Sequence, residues 1–266
     1  MKKMVAAFTI IAMLSVITAK ADPLTLRTQT GYNLGWSVSY YQYQEPGLMS
    51  ARGSKIGADL HATKVFENDL FIRGDLRVAS GSVDYNSNGT GSASGEPDWY
   101  VEARGLIGKD WFINEAFVLS PYLGLGYRYL YNDGRGITST GNGGYRRESN
   151  YFYLPVGIIQ RVEMKDRARM EITLEYDHLL AGKQNTRLSD AGLGYSDVTN
   201  NQHSGYGLKL SVMYLKTNWA IGPYADYWNI AESESVLLYR YGSLYGLAWE
   251  PKNNTIEFGV KASHQF

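Results

Sequence analysis

The segment TIEFGVKASHQF (Thr255–Phe266) places Ile256, Phe258, Val260 and Ala262 on one face, opposes them with Thr255, Glu257, Gly259 and Lys261, and stops on an aromatic residue. Successive side chains of a strand point to opposite sides. A period of two over this length therefore describes a strand whose two faces meet different surroundings. Chain ends are usually polar and frayed; this one is patterned to its last residue.

The same period recurs upstream. YNLGWSVSYY sets Tyr32, Leu34, Trp36, Val38 and Tyr40 against Asn33, Gly35, Ser37 and Ser39, and KIGADLHAT sets Ile56, Ala58, Leu60 and Ala62 against Lys55, Gly57, Asp59, His61 and Thr63. LFIRGDLRV opposes Leu70, Ile72, Leu76 and Val78 to Arg73, Asp75 and Arg77, a face that no soluble sandwich core accommodates. Further runs cover 99–107, 121–129, 151–162, 170–180, 205–214 and 219–227. YFYLPVGIIQ, within 151–162, is apolar on both sides, so its inward face is not assigned by pattern. Short turns at 67–69, 165–167 and 216–218 alternate with long polar connections at 44–53, 86–97, 132–150, 181–204 and 231–254, and 109–119 is a longer connection on the short-turn side. Short periplasmic turns and long external loops are the habit of membrane barrels. VLLYRY and LYGLAW flank Gly242-Ser243 and are short for a crossing, so they are read as a hairpin within the last external loop. The expected fold is all-β: a transmembrane, antiparallel, up-and-down β-barrel of about ten strands, with twelve or eight as alternatives.

Composition fits a barrel. Aromatic residues make up 14% of the chain, with 22 tyrosines and 29 glycines, and cysteine is absent, which excludes disulfide staples and thiolate chemistry. Lys2 and Lys3, an apolar run from Val5 to Ile17, and Ala19-Lys20-Ala21 read as a secretory signal peptide over residues 1–21, leaving 22–266 as the barrel. Removing Lys2, Lys3 and Lys20 leaves 23 basic residues against 26 acidic, a formal charge of −3, which argues against a nucleic-acid partner. No later stretch has the roughly 18 apolar residues of a membrane helix. In this orientation Tyr40, Trp99, Tyr127, Tyr129, Tyr176, Tyr206 and Tyr227 lie at the outer ends of lipid-facing strands and Tyr32, Tyr214, Trp219 and Phe266 at the inner ends, giving two aromatic girdles.

The terminal strand, with LSPYLGLGYRY and NYFYLPVGI, resembles strands of the small bacterial outer-membrane β-barrels of the opacity and OmpA-like types. The resemblance implies a location in the bacterial outer membrane, contact with its lipid and lipopolysaccharide, and recognition of the last strand, through Phe258, Val260 and Phe266, by the barrel assembly machinery. A monomer is expected.

The face opposite the lipid carries Lys55, Asp59, Arg73, Asp75, Arg77, Glu102, Arg104, Arg128, Glu171, Glu175, Asp177, Lys209, Asp226, Glu257 and Lys261. A selective channel shows an excess of one sign, whereas these are nearly balanced. They suit a polar plug, with Gly124, Gly126 and Gly207 making room in a narrow barrel. A non-enzymatic barrel acting through its envelope contacts and loops is therefore the first expectation, a narrow porin the second and an outer-membrane hydrolase the third. Omptin-type proteases activate water with an aspartate pair and a same-face Asp-x-His; here Asp177 and His178 are adjacent and so point to opposite faces. His203-Ser204 and Ser263-His264 are likewise adjacent, the four histidines lack metal-ligand spacing, and the glycine-rich loops lack the helix and Lys-Ser/Thr of a phosphate loop. No cofactor is expected. Arg135, Arg146 and Arg147 fall in the third external loop, where they would meet lipopolysaccharide phosphate.

Overall fold

A computed structural model describes residues 26–164 and 167–266. The expected signal peptide, residues 1–21, lies outside the described residues, as do Lys165 and Asp166 of one expected turn.

Fourteen strands follow in chain order: β1 (Gly31–Glu45), β2 (Met49–Val65), β3 (Leu70–Ser87), β4 (Gly91–Lys109), β5 (Trp111–Asn114), β6 (Phe117–Asp133), β7 (Arg146–Glu163), β8 (Arg169–Thr186), β9 (Val198–Gln202), β10 (Gly205–Lys216), β11 (Trp219–Ile230), β12 (Val236–Arg240), β13 (Ser243–Ala248) and β14 (Asn253–Gln265). Ten of them close an antiparallel wall in the order β1-β2-β3-β4-β6-β7-β8-β10-β11-β14, and β14 returns to β1. The seam pairs Trp36 with Ala262, Val38 with Val260 and Tyr40 with Phe258, and the Phe266 amide donates to the Tyr32 carbonyl at 2.8 Å. Paired on one edge to β1 and on the other to β11, the last strand leaves no open sheet edge in lipid, where an unpaired backbone group costs several kcal/mol. That closure explains why the pattern of the terminal segment runs to its final residue.

β5 is a short hairpin arm on β6 at the periplasmic end, and β9 pairs antiparallel with the outer end of β8, in line with β10. β12 and β13 form a separate hairpin, as expected, but its two-residue turn is Tyr241-Gly242, one position earlier than the expected Gly242-Ser243; the barrel has ten strands.

The connections depart from the sequence reading. β1 and β2 are joined by residues 46–48 and β3 and β4 by 88–90, where connections of 44–53 and 86–97 were expected. About 9–11 residues cross a bilayer, yet β2, β3 and β4 run for 17, 18 and 19. Their outer ends stand above the lipid. There the outward face meets water instead of lipid, as at exposed Arg52, Ser54 and Asp84, so hydrogen bonding continues while the apolar alternation that marks a strand in sequence disappears.

Burial follows the predicted parity. Leu34, Trp36 and Val38 face outward while Ser37, Ser39 and Tyr41 are buried inside. In β7 the inward set is Tyr151, Tyr153, Gly157 and Ile159, with Phe152 and Val156 toward lipid. The girdles are joined by ring contacts, Trp99 with Tyr129 and Tyr131 at 5.4 Å and Tyr176 with Tyr206 at 6.1 Å on the outer side, Trp219 with His264 at 4.8 Å on the inner.

Candidate functional site: a paired-charge lumen

Strand parity on β3 sends Arg73, Asp75 and Arg77 inward because Ile72, Leu76 and Val78 take the lipid side. Arg77 becomes the hub of the interior. Its Nη1 donates to both Asp59 oxygens at 2.9 and 3.1 Å, its Nη2 to Glu257 at 2.8 Å, the Tyr224 hydroxyl at 2.6 Å and Ser37 at 3.3 Å, and its Nε to the Tyr100 hydroxyl at 2.6 Å. The Tyr100 and Tyr224 hydroxyls donate onward to Glu257 at 2.8 and 2.7 Å. One planar fork thus ties β3 to β1, β2, β4, β11 and β14, using the five donors that distinguish arginine from lysine.

A second node lies across the lumen. Arg104 bridges Asp75 and Glu175 at 2.6 Å each, and the Tyr122 hydroxyl donates to Glu175 at 2.6 Å. Lys209 pairs with Glu102 and lies 3.3 Å from Glu175 and 3.4 Å from Asp177. Fully buried Arg128 sits 3.7 Å from Glu102 and 4.3 Å over the Tyr100 ring. Lys55 pairs with Asp98, Lys261 with Asp59 at 3.1 Å, Arg73 with Asp75 at 2.9 Å, and Glu171 with Arg161 at 2.8 Å. Asp226 is in register with Lys209 on one side and Glu257 on the other.

All fifteen lumen residues expected from the sequence therefore point inward, and the structure joins most of them into one network. Sequence reasoning missed Asp98, Arg161, Tyr100, Tyr122, Tyr153 and Tyr224. Asp98 and the four tyrosines occupy the same parity as the charged residues on their strands, which was a usable signal, but tyrosines were read chiefly as girdle residues. Glycine opposite tyrosine is a second device. A Cβ at Gly126 would lie 2.2 Å from the Tyr153 ring, and one at Gly157 2.3 Å from the Tyr122 hydroxyl, so the glycines provide the space into which these rings fold across neighbouring strands.

The lumen has two compartments. Its outer half is filled by Tyr151, Tyr153, Leu179, Trp228 and Ile230 on one wall and by Tyr41, Ala51 and Val83 on the other. Its inner half retains a cavity of about 230 Å³ bordered by Arg104, Arg161, Glu171, Lys209 and Asp226. Residues 26–30 lie at the inner mouth: Thr28 donates its amide and hydroxyl to Asp110 at 2.6 and 2.8 Å, and Arg27 pairs with Asp69 at 3.0 Å.

At the outer rim the three arginines expected to meet phosphate each hold a carboxylate. Arg135 pairs with Asp133 and Arg146 with Asp190, at 2.6 and 2.7 Å. Arg147 turns into the mouth of the barrel, where it pairs with Glu45 at 2.6 Å and with Glu250, beside the Tyr43 hydroxyl at 2.9 Å. Burial pushes the Glu250 carboxyl up from its ordinary range against the pull of Arg147. Hydrogen bonds from Arg146 hold Asp190 below that range.

The four histidines lie apart from one another. His178 is exposed on the outward face while Asp177 is buried inside, His203 lies in a loop beside Glu234 at 3.3 Å, His264 packs on Trp219, and His61 is bonded to Asp75 at 2.8 Å in the inner half. Among the described residues no group of His, Asp and Glu is arranged to hold a metal ion. Phe258 and Val260 project outward from β14, and Phe266, just past its end, is exposed.

Ten antiparallel strands closed on themselves, with an apolar outer band, aromatic girdles and a polar interior, define the architecture of a small outer-membrane-type β-barrel. No protein-family model matches the chain and no curated protein is similar to it in sequence. Among solved structures it is similar to the outer membrane protease OmpT from Escherichia coli, with a TM-score of 0.59 and 11% identity over 91% of this chain and all of that one. Neisserial surface protein A aligns with a TM-score of 0.36 and 12% identity over 89% and 98% of the two chains, and the Pseudomonas putida toluene transporter TodX with 0.37 and 9% over 92% of each. At 11% identity the likeness to OmpT speaks for the fold alone.

Proposed function

We propose that this chain is a non-conducting, non-enzymatic barrel of the bacterial outer membrane, in contact with its lipid and lipopolysaccharide, whose lumen is a structural plug and whose activity resides in its outer loops. The observation that carries this reading is the Arg77 hub beneath a tyrosine-filled outer half. A pore needs a continuous wet path lined by an excess of one sign, whereas here the charges neutralise one another across the lumen. OmpT is a protease, but among the described residues the outer half of this lumen contains no histidine, which favours a non-catalytic role.

Single-channel recording of the refolded protein in a planar bilayer tests the plug. A folded barrel without discrete openings is expected, and reproducible openings would establish the porin reading in its place. Phe258, Val260 and Phe266 serve, in this proposal, as the signal read by the assembly machinery. Deleting Phe266 is then expected to reduce the folded, heat-modifiable protein in outer-membrane fractions severalfold, and an unchanged level would remove that role.

A further inference from the structure

The β12–β13 hairpin stands outside the barrel wall and exposes more apolar surface than an external loop needs. Leu237 pairs with Leu247 and Tyr239 with Leu244 in the register of the hairpin, and these four are exposed together on one face. Around the turn Tyr241 is 76% exposed, Leu244 62% and Tyr245 58%, and Trp249 follows at 53%. Tyr241 and Gly242 both have positive φ, 50° and 78°, the geometry of a tight hairpin turn, so the tip is a defined projection. A cluster of large exposed apolar residues marks a contact surface. Leucine mixed with tyrosine and tryptophan is also the composition of this chain's own lipid-facing band and girdles, repeated away from the wall.

Charge identifies what the hairpin meets. Arg135, Arg146, Arg147 and Arg187 in the outer region each hold a carboxylate. Arg240, at the base of the turn, has no carboxylate partner among the described residues. Its Nε donates to the Leu193 carbonyl at 2.9 Å, and its guanidinium lies over the rings of Tyr195, Tyr241 and Tyr245 at 5.0, 5.5 and 5.8 Å. The rings and the carbonyl hold the guanidinium in place while leaving the Nη groups for an anion, and arginine matches phosphate oxygens bidentately. A glycan site would set its aromatic platforms among hydrogen-bonding side chains; here they are set among leucines.

We infer that the β12–β13 hairpin is a membrane-docking element that inserts Tyr241, Leu244 and Tyr245 into the surface of an apposed phospholipid bilayer while Arg240 binds a lipid phosphate. The inference rests on the reading that activity lies in the outer loops, but it is tested separately from the plug.

The protein, held in nanodiscs of zwitterionic lipid, is mixed with vesicles of phosphatidylcholine containing or lacking phosphatidylglycerol and floated on a density gradient. Co-flotation with the phosphatidylglycerol vesicles is expected. Arg240→Gln is expected to weaken it about tenfold, and Leu244→Ser with Tyr245→Ser to abolish it, while all variants keep the heat-modifiable migration of a folded barrel. Quenching of Trp249 by brominated lipid in the vesicles is expected only with the native hairpin. Absence of flotation, flotation unaffected by these substitutions, equal binding to both vesicle types, or association of nanodiscs with one another in place of vesicles would each overturn the proposal. A silent barrel that fails to float refutes the docking element and leaves the plug standing; a conducting barrel that floats does the reverse.

Discussion

Arg77 is the residue on which the interior depends most. Its charge is balanced by Asp59 and Glu257, both almost fully buried, so removing it leaves two carboxylates to face each other with fewer donors. Breaking a buried pair from one side typically costs about 3–5 kcal/mol. Arg77→Gln is therefore expected to lower the unfolding free energy read from denaturant titration by that order, with Glu257→Gln in the same chain recovering part of the loss; equal stability of Arg77→Gln and the native protein would show the hub to be decorative. Gly126→Val is expected to destabilise through the Tyr153 ring that occupies the space of its side chain, by about 1–3 kcal/mol as overpacking does, and Tyr153→Ala in the same chain should relieve the clash. Much at this scale was legible in the sequence, because a strict period of two assigns each charged side chain to a face. The partners were not: which acid meets Arg77 depends on strand stagger and on tyrosines reaching across the lumen, and neither leaves a mark in the order of residues.

At the scale of elements, the ten crossings were readable wherever lipid bordered one side, because water and hydrocarbon then impose opposite chemistry on alternate residues. The pattern failed in β7, where the inward face is itself aromatic, and above the membrane, where β2 to β4 continue as hairpins whose outward face is polar. The last external connection, 231–252, is held to the mouth by Glu250 on Arg147 and by Asn200, whose side-chain amide donates to the carbonyls of Glu234 and Ala248 at 3.0 and 3.2 Å. Because burial raises the Glu250 pKa, the closed loop binds a proton more readily than the open one. Its stabilisation is complete below the ordinary carboxylate range and declines as pH rises through the raised value. Asp190 acts with the opposite sign: the Arg146 link persists above the ordinary range and is lost as pH falls through the lowered value. Protection of the amides across 231–252, corrected for their intrinsic exchange rates, is therefore expected to rise as pH falls through the raised value of Glu250. Glu250→Gln should flatten that dependence, while exchange around Asp190 rises only in stronger acid. A pH-independent loop in the native protein would contradict this assignment.

For the whole molecule, the architecture combines a wall closed by backbone hydrogen bonds with an interior closed by side chains, and the two are completed together. The hub unites Ser37 and Glu257, which are 220 positions apart in sequence, so its bonds cannot form until β14 reaches β1. Before that moment Arg77, Asp59 and Glu257 must keep their water, since an unpaired buried charge is far too costly. Sealing the seam and drying the lumen are consequently a single late event in time, and burial of Trp228 against Tyr153 should report it as the slowest fluorescence phase of refolding. A barrel caught one strand short of closure is thus a wet trough, transiently open to small ions until its last strand finds its first.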